Sequence, residues 1–491
     1  MSIAPRVGGP SRCVLLTGLV VLAIGCAAQP PRTAEPPPAA LRHFLTWPKG
    51  SVLSARFSPD GRLLAVRDLD GGARLWDPHS GRLITELTGH TGGVRQVVCS
   101  PDGRFVASRG DDQIIRLWSS AGVELAHLAG HRGRINHITF AADGHTLVSA
   151  GDDGSVRLWS LSTLLLRRTG TGDPPQVQAA RTVQHERRTL PDNAPRIAWL
   201  SPDGQTLVSR SEYRGRTTTS FWSAATARKV FDLAEPRPNR LVFSPSGSLL
   251  ATASSGSVQL WQMPARRHSQ RLAAHQAELD RMVFSPTGRL LATSSRDRSV
   301  RLWDTATGKE FLKLEKQGTL SKDSFWNPIA FSPDGRFFAS VAGDGSVQVV
   351  DLVRPEAPPM TLRAGTPPIW SARFAPGSRT LVTRDARQTT LLWDLATGKP
   401  LFRKTHDVLR IRYSPTGELL AHSFSGGPMD VGHLHLVDAA TGRELISIAG
   451  FEFVFSPDGE MLAVWGGAKP RIELWRMRPR FAPRRPPHAK P

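Results

Sequence analysis

A five-residue phrase, FSPDG, recurs along most of the chain. It begins at residue 57 and returns, intact or with up to three substitutions, at residues 99, 140, 200, 243, 284, 331, 374, 413 and 455. All but one of the intervals measure 39 to 47 residues, and the remaining one measures 60. Self-similarity at such a period indicates an architecture in which one small unit is repeated and stacked. The chain is therefore expected to consist of ten related units.

A second motif indicates that each unit is made of short β-strands. About 19 residues after most FSPDG starts comes a segment such as ARLWD or VRLWS, and eight of the 13 tryptophans lie in it: Trp76, Trp118, Trp159, Trp222, Trp261, Trp303, Trp393 and Trp475. RQVVCSPDGRFVAS has apolar residues on both sides of a Pro-Asp-Gly turn, a pattern typical of two antiparallel strands. GDDGSVRLWS adds a third strand, and AGVELAHLAGH a fourth. Four short strands cannot bury both sheet faces alone, so the units must stack.

Two residue pairs accompany this period of about 42 residues. Gly-His occurs at 89–90 and 130–131, and Trp-Asp occurs at 76–77, 303–304 and 393–394. Together they resemble the WD-repeat (WD40) family of β-propellers, and the resemblance covers about residues 42–478. It implies an all-β ring of four-stranded blades. The last unit stops after its third strand, RIELWR, and a spare strand-like segment, LRHFLTW, precedes the first. In this family, the N-terminal strand completes the last blade and removes exposed sheet edges.

The number of units leaves two arrangements open. Typical propellers have four to eight blades, so ten units form either one wide ring or two smaller rings. The longest interval contains an insertion at 161–195. A division there would leave three units on its N-terminal side, too few to close a ring. We therefore expect one closed WD40-type β-propeller of about ten four-stranded blades over residues 41–478.

Histidine, serine and aspartate recur at spacings that at first suggest a Ser-His-Asp hydrolase. In three units, a serine or threonine, an aspartate and a tryptophan follow the histidine by 18, 22 and 28 residues: His90, Ser108, Asp112 and Trp118; His131, Ser149, Asp153 and Trp159; His275, Thr293, Asp297 and Trp303. A hydrolase has one nucleophile in one cleft, so three copies indicate a structural role. The resemblance implies that the four side chains form a hydrogen-bonded network inside each blade. We predict no catalytic residue.

Metal and cofactor sites are not predicted. Asp152 and Asp153 lie side by side as in a calcium loop, but such a loop gathers several oxygen ligands, and this segment runs directly into an apolar strand. His433 and His435 lie on one strand face of a lengthened hairpin without companion ligands. The sequence has no Gly-rich phosphate loop, Cys-x-x-Cys pair or nucleophile elbow.

The N-terminus has the pattern of an exported lipoprotein. A positively charged start precedes the apolar run CVLLTGLVVLAIG, which is short for a membrane span. AIGC resembles a bacterial lipobox, whose cysteine is lipidated. We predict a signal peptide at 1–25, then a lipidated Cys26 and a Pro-rich linker over 26–40, with an outer-membrane or periplasmic location. Cys13 lies inside the signal and Cys26 is the lipidated residue, so Cys99 is the one cysteine left free and no intrachain disulfide is expected.

Charge indicates which further surfaces could interact with the protein. The net charge is +21, and the tail over 479–491 is basic, rich in Pro and Arg, and predicted to be disordered. Both features favour anionic surfaces such as phospholipid headgroups or lipopolysaccharide. Export argues against nucleic acid as a partner.

The function that we expect is a non-catalytic scaffold for protein–protein interaction, anchored in the bacterial cell envelope by its lipid. In WD-repeat families, the residue before the network aspartate often meets partners; here it is Asp111, Asp152 or Arg296, with Gly343 in the seventh unit. The alternatives are a propeller that binds anionic envelope polymers or a small ligand, and an enzyme with a site in the central channel.

Overall fold

A computed structural model describes residues 39–46, 52–161, 176–178, 181–184, 197–213, 216–223, 229–233, 240–254, 256–263, 267–272, 275–315, 329–366, 368–405, 408–424, 432–466 and 471–477. These ranges contain 41 β-strands and no helix. Within them, no helix is therefore long and apolar enough to cross a membrane. The predicted signal peptide, the Cys26 lipidation site and the basic tail lie outside the described residues.

The strands are short and follow one another in groups of four. In the first half of the chain they are β1 (Ala39–Thr46), β2 (Val52–Phe57), β3 (Leu64–Asp68), β4 (Ala73–Asp77), β5 (Arg82–Glu86), β6 (Val94–Cys99), β7 (Phe105–Gly110), β8 (Ile115–Ser119), β9 (Glu124–Ala129), β10 (Ile135–Phe140), β11 (Thr146–Gly151), β12 (Ser155–Ser160), β13 (Gln176–Gln178), β14 (Arg181–Gln184), β15 (Ile197–Leu200), β16 (Thr206–Tyr213), β17 (Arg216–Ser223), β18 (Lys229–Leu233), β19 (Arg240–Phe243), β20 (Leu249–Ser254), β21 (Ser257–Gln262) and β22 (Arg267–Leu272).

The second half continues the same pattern. Its strands are β23 (Leu279–Phe284), β24 (Leu290–Ser295), β25 (Val300–Asp304), β26 (Glu310–Leu314), β27 (Ile329–Phe331), β28 (Phe337–Val341), β29 (Ser346–Asp351), β30 (Met360–Arg363), β31 (Ile369–Phe374), β32 (Thr380–Asp385), β33 (Thr389–Asp394), β34 (Pro400–Thr405), β35 (Val408–Tyr413), β36 (Leu419–Phe424), β37 (His433–Asp438), β38 (Glu444–Ala449), β39 (Glu452–Phe455), β40 (Met461–Trp465) and β41 (Arg471–Met477).

Ten sheets result, and each is one blade. Blade 1 is β2–β5, blade 2 contains β6–β9, blade 3 is β10, β11, β12 and β14, and blades 4 to 9 use β15 to β38 four at a time. The FSPDG phrase forms the turn between the first two strands. In blade 1, Ser58 Oγ accepts a hydrogen bond from the Leu63 amide at 2.9 Å and donates one to Asp60 Oδ1 at 2.5 Å. Gly61 has a φ of +73°, which favours glycine there.

The last blade is closed by the first strand. Blade 10 consists of β39, β40 and β41, and β1 pairs antiparallel with β41 as its fourth strand. The predicted N-terminal closure is confirmed. It gives β41 a hydrogen-bonded neighbour on both sides, so this strand is not an exposed edge.

One ring contains all ten blades. Ten apolar clusters each join two consecutive blades, and one of them joins blade 10 to blade 1 through Ile472, Leu474 and Leu64. Across the insertion, Val148 of blade 3 packs in one cluster with Leu207 of blade 4. The expected single ring is therefore confirmed, and the insertion does not divide it.

The insertion itself adds strands to two blades. β14 is the fourth strand of blade 3, and β13 pairs in parallel with β9, so that blade 2 has five strands rather than the expected four. Sequence periodicity predicts only the strands that repeat in every unit. β13 extends an outer strand that would otherwise be an unpaired edge.

The first strands of neighbouring blades approach one another, as β6 and β10 do. The first strand of each blade is therefore the one nearest the ring axis. At one end of the ring, the link into each first strand lies beside the turn between the second and third strands of the same blade. The Asp152 amide, for example, donates to the Arg134 carbonyl at 2.8 Å. We call this end the upper face; it carries Asp111, Asp152 and Arg296.

Candidate functional site

The four recurring side chains of blade 3 lie within hydrogen-bond distance of one another. Trp159 Nε1 donates to Ser149 Oγ at 2.9 Å, and Ser149 Oγ lies 2.7 Å from His131 Nε2. His131 Nδ1 lies 3.0 Å from both carboxylate oxygens of Asp153, which also accepts from the Arg132 amide at 2.9 Å. All donors are satisfied if the Ser149 hydroxyl donates to His131 Nε2 and His131 Nδ1 donates to Asp153. This series of hydrogen bonds links the segment before the first strand, where His131 lies, to the hairpin formed by the second and third strands of the blade.

Blades 2 and 6 contain the same arrangement. The matching distances are 2.9 Å for Trp118–Ser108, 2.9 Å for Ser108–His90 and 2.9 Å for His90–Asp112, then 3.0 Å for Trp303–Thr293, 2.8 Å for Thr293–His275 and 3.0 Å for His275–Asp297. The hydroxyl-bearing residues Ser108, Ser149 and Thr293 are buried, each at most 1% exposed. None of these hydroxyls can reach a substrate in solution, so the three sets do not form hydrolase sites.

Burial and hydrogen bonds shift the pKa values of Asp297, His90 and His275 in these networks. Burial acts to raise the pKa of Asp297, but hydrogen bonds from Ser299 and from the Gln276 amide outweigh it, and the pKa falls to about 2. Burial lowers the pKa of His90 and His275, and the facing carboxylates offset this only in part. At neutral pH the ionised Asp297 carboxylate therefore accepts a hydrogen bond from the neutral His275 imidazole in blade 6.

Among the described residues, the Trp–hydroxyl part of the network also occurs in blades 5 and 8. Trp261 donates to Thr252 at 3.0 Å in blade 5, and Trp393 donates to Thr383 at 2.9 Å in blade 8. The spacing of nine or ten residues between hydroxyl and Trp is visible in the sequence, but neither unit has a histidine at the matching position, so the complete four-residue pattern does not identify these pairs.

The residues predicted to face a partner form a repeated pair on the upper face. Asp111 pairs with Arg95 at 2.6 Å, and Asp152 accepts from Asn136 at 2.6 Å. Arg296 lies 3.4 Å from Asp280. Each pair joins residues 16 apart, one at the start of the first strand and one in the turn before the network aspartate. We call these contacts the rim pairs. In blade 2 the acid, Asp111, lies in the turn and the base, Arg95, lies on the first strand. In blade 6 the base, Arg296, lies in the turn and the acid, Asp280, lies on the first strand.

A cavity of about 450 Å³ lies below the rim, between the inner strands of blades 1, 2 and 3. Arg56 of β2, Arg67 of β3, Arg95 of β6, Arg109 of β7 and His137 of β10 line it. Ser54, Gln96 and Asn136 add polar groups. Sequence reasoning did not predict this site. In the sequence, Arg67 and Arg109 occupy the same position in the second strands of two consecutive units. That match indicates a shared site only when the packing of the neighbouring strands is known.

Burial, together with repulsion between neighbouring cations, disfavours the charged forms of Arg109 and His137. Burial lowers the pKa of Arg109 to about 10, and the charges of Arg134 and Arg67 add to the effect. The pKa of His137 is lowered by burial first and then by Arg109 and Arg56. A positive charge in this cavity is therefore less favourable than in water until an anion is present.

The remaining candidate residues are His433, His435 and Cys99. Among the described residues, no group of three or more His, Cys, Asp or Glu side chains could hold a metal. His435 hydrogen-bonds Glu444 on the next strand, and His433 stacks near Phe424 with ring centroids 5.8 Å apart. Burial raises the pKa of the Cys99 thiol to about 12, so this cysteine is unreactive at neutral pH.

Comparison with known proteins agrees with the geometry. The family model "WD domain, G-beta repeat" matches six segments: residues 40–77, 81–119, 122–160, 226–262, 266–304 and 329–351. These coincide with blade-length stretches of the ring, and the first reaches from β1 to the end of β4. The protein is a ten-bladed β-propeller, and these six segments are WD40 repeats. Three of these segments, 81–119, 122–160 and 266–304, contain the complete networks of blades 2, 3 and 6.

Individual relatives match parts of this WD40 propeller. "Protein LST8 homolog" of Drosophila melanogaster is 27% identical over 33% of this chain and 53% of its own length. "Serine-threonine kinase receptor-associated protein" of Mus musculus is 25% identical over 26% of this chain and 35% of its own. The matches thus span about half or less of these relatives. A crystal structure of a eukaryotic initiation factor, 12% identical, superposes with a TM-score of 0.52 over 88% of this chain and 100% of its own, which shows the shared fold alone.

Proposed function

We propose that this WD40 propeller is a non-catalytic scaffold that binds a protein or peptide partner on its upper face. The observation that carries the proposal is the set of rim pairs. Asp152 and Arg296 are exposed, and Asp111 is partly so, at one position of three blades on a rigid ring. Polar side chains in fixed positions but with different signs favour a partner with its own pattern of charges.

Two further observations support a scaffold. The hydroxyls of Ser108, Ser149 and Thr293 resemble nucleophiles but are buried in structural networks. The recurring His, Ser/Thr and Asp residues therefore have a structural role. One relative is named as a receptor-associated protein. The conclusion is a binding role for the loops of the ring rather than chemistry in the blades.

Removal of the rim side chains is expected to abolish partner capture. The variant Asp111→Ala/Asp152→Ala/Arg296→Ala removes the upper member of each rim pair. A matched control, Arg289→Ala/Glu418→Ala, removes exposed charges from turns at the opposite face. Affinity capture from solubilised envelope, read by quantitative mass spectrometry, should show prey that the control retains and the rim variant loses by at least about tenfold. Equal prey for both variants would argue against the upper face.

We also propose a cell-envelope location, with the propeller tethered through a lipid on Cys26. The support is the lipobox-like AIGC after an apolar run, followed by a Pro-rich stretch that can act as a spacer. Metabolic labelling with palmitate should mark the full chain, and Cys26→Ser should lose the label and leave the membrane fraction. Cys99→Ser is the matched control and should keep both. Label that persists in Cys26→Ser would refute the anchor.

A further inference from the structure

The cavity below the rim has positive charge on several sides. Arg56, Arg67, Arg95 and Arg109 come from four different strands, and none of the lining residues, all of them in the described part of the chain, is acidic. Two nearby carboxylates offset part of this charge. Asp111 pairs with Arg95 and Arg134, and Asp68 accepts the Gly72 amide at 2.5 Å. The cavity therefore holds more positive charge than its surroundings neutralise.

Hydrogen bonds hold part of this wall in place without an anion. Arg109 donates to Gln96 Oε1 at 3.2 Å and to the Ile135 carbonyl at 2.7 Å. Gln96 is itself fixed, because it donates to the Ile138 carbonyl at 2.9 Å and accepts from the Ile138 amide at 3.1 Å. These contacts bridge blades 2 and 3. A guanidinium whose position is already set loses little conformational entropy when a ligand binds.

One donor in this wall is still unused. Arg67 Nε is buried and makes no hydrogen bond to any described residue. A buried donor without an acceptor is costly, commonly by more than a formed hydrogen bond gains. An anion in the cavity would supply acceptors to Arg67 and would offset the burial and the like charges that lower the pKa of Arg67 and Arg109.

We propose that this cavity binds a compact phosphorylated small molecule that carries at least two negative charges. Guanidinium groups recognise phosphate oxygens through paired hydrogen bonds. Groups arriving from four strands suit a tetrahedral anion, whose oxygens point in several directions, better than a flat carboxylate. The volume of about 450 Å³ lies within the range of small-molecule pockets. The lining residues, all in the described part of the chain, include no Phe, Tyr or Trp on which a nucleobase could stack.

The cavity shares two residues with the rim pairs, because Arg95 and Asn136 belong to both. Arg56 belongs to no rim pair, however, and Asp111, Asp152 and Arg296 do not line the cavity. Loss of anion binding and loss of partner capture can therefore be measured separately, with a different variant for each.

Calorimetry with inorganic pyrophosphate tests the proposal. The full chain at physiological ionic strength should bind one pyrophosphate, and Arg56→Gln should weaken binding by at least about tenfold, because one charged hydrogen-bond partner is lost. The matched control is Arg373→Gln. Arg373 is exposed at the same position of the inner strand β31 in blade 8, outside the cavity, and its variant should bind within about twofold of wild type. Circular dichroism should show that the Arg56→Gln and Arg373→Gln variants are both folded.

Several results would overturn the site. Absence of binding heat would refute it, as would equal weakening by Arg56→Gln and Arg373→Gln, which would indicate a diffuse charge effect of the whole channel. Succinate that binds as tightly as pyrophosphate would refute the preference for phosphate. Binding to phosphatidylcholine vesicles containing phosphatidic acid, with no heat from pyrophosphate, would assign a lipid headgroup instead of a soluble ligand.

Discussion

Asp153→Ala is expected to lower the free energy of unfolding by about 3 kcal/mol. The carboxylate accepts hydrogen bonds from His131, from the Arg132 amide and from the Ser155 hydroxyl at 2.8 Å. Burial opposes its ionisation, yet these donors hold the pKa of Asp153 below its ordinary value, so the folded state prefers the charged form. Alanine would leave three donors without their acceptor. Urea denaturation followed by tryptophan fluorescence and circular dichroism measures the loss.

The adjacent residue provides a matched control for this experiment. Asp152 is exposed and has its one side-chain partner, Asn136, at the surface. Asp152→Ala should change the free energy of unfolding by no more than about 0.5 kcal/mol. Equal destabilisation by the two substitutions would show that the network contributes nothing beyond an ordinary surface carboxylate.

Deletion of residues 1–46 is expected to destabilise the ring by about 5 kcal/mol or more and to make it aggregate. β1 pairs with β41 over seven residue pairs, and each backbone hydrogen bond contributes about 1 kcal/mol. Without β1, the strand β41 becomes an unpaired edge that can pair with another chain. Urea denaturation and light scattering measure the two effects.

Deletion of residues 1–38 is the matched control for strand closure. It removes nearly the same length of chain but keeps β1, which begins at Ala39. This chain should unfold at the same urea concentration as the full chain and remain monomeric. If both deletions behave alike, β1 does not hold the ring closed.

Local features of the sequence predicted much of this fold. The turn phrase, the tryptophan motif and the spare N-terminal strand are all short-range signals, and each corresponds to an observed turn, strand or pairing. The spacing of His131, Ser149, Asp153 and Trp159 likewise identified residues that the structure brings together, because each blade repeats one backbone path. The fifth strand of blade 2 could not be predicted in this way, since β13 belongs to an insertion that occurs once.

The sequence by itself determined the unit, its four strands, its turns and the number of copies, because these depend on residues within one period of the chain. Only the tertiary structure decided that ten units close as one ring, since closure depends on small rotations that accumulate over ten interfaces. The structure also created the cationic cavity. Arg56, Arg67, Arg95 and Arg109 belong to four strands of two blades, and their charges combine only where stacked blades bring those strands together. Charge patterns across blades follow from packing, which a repeat period does not encode.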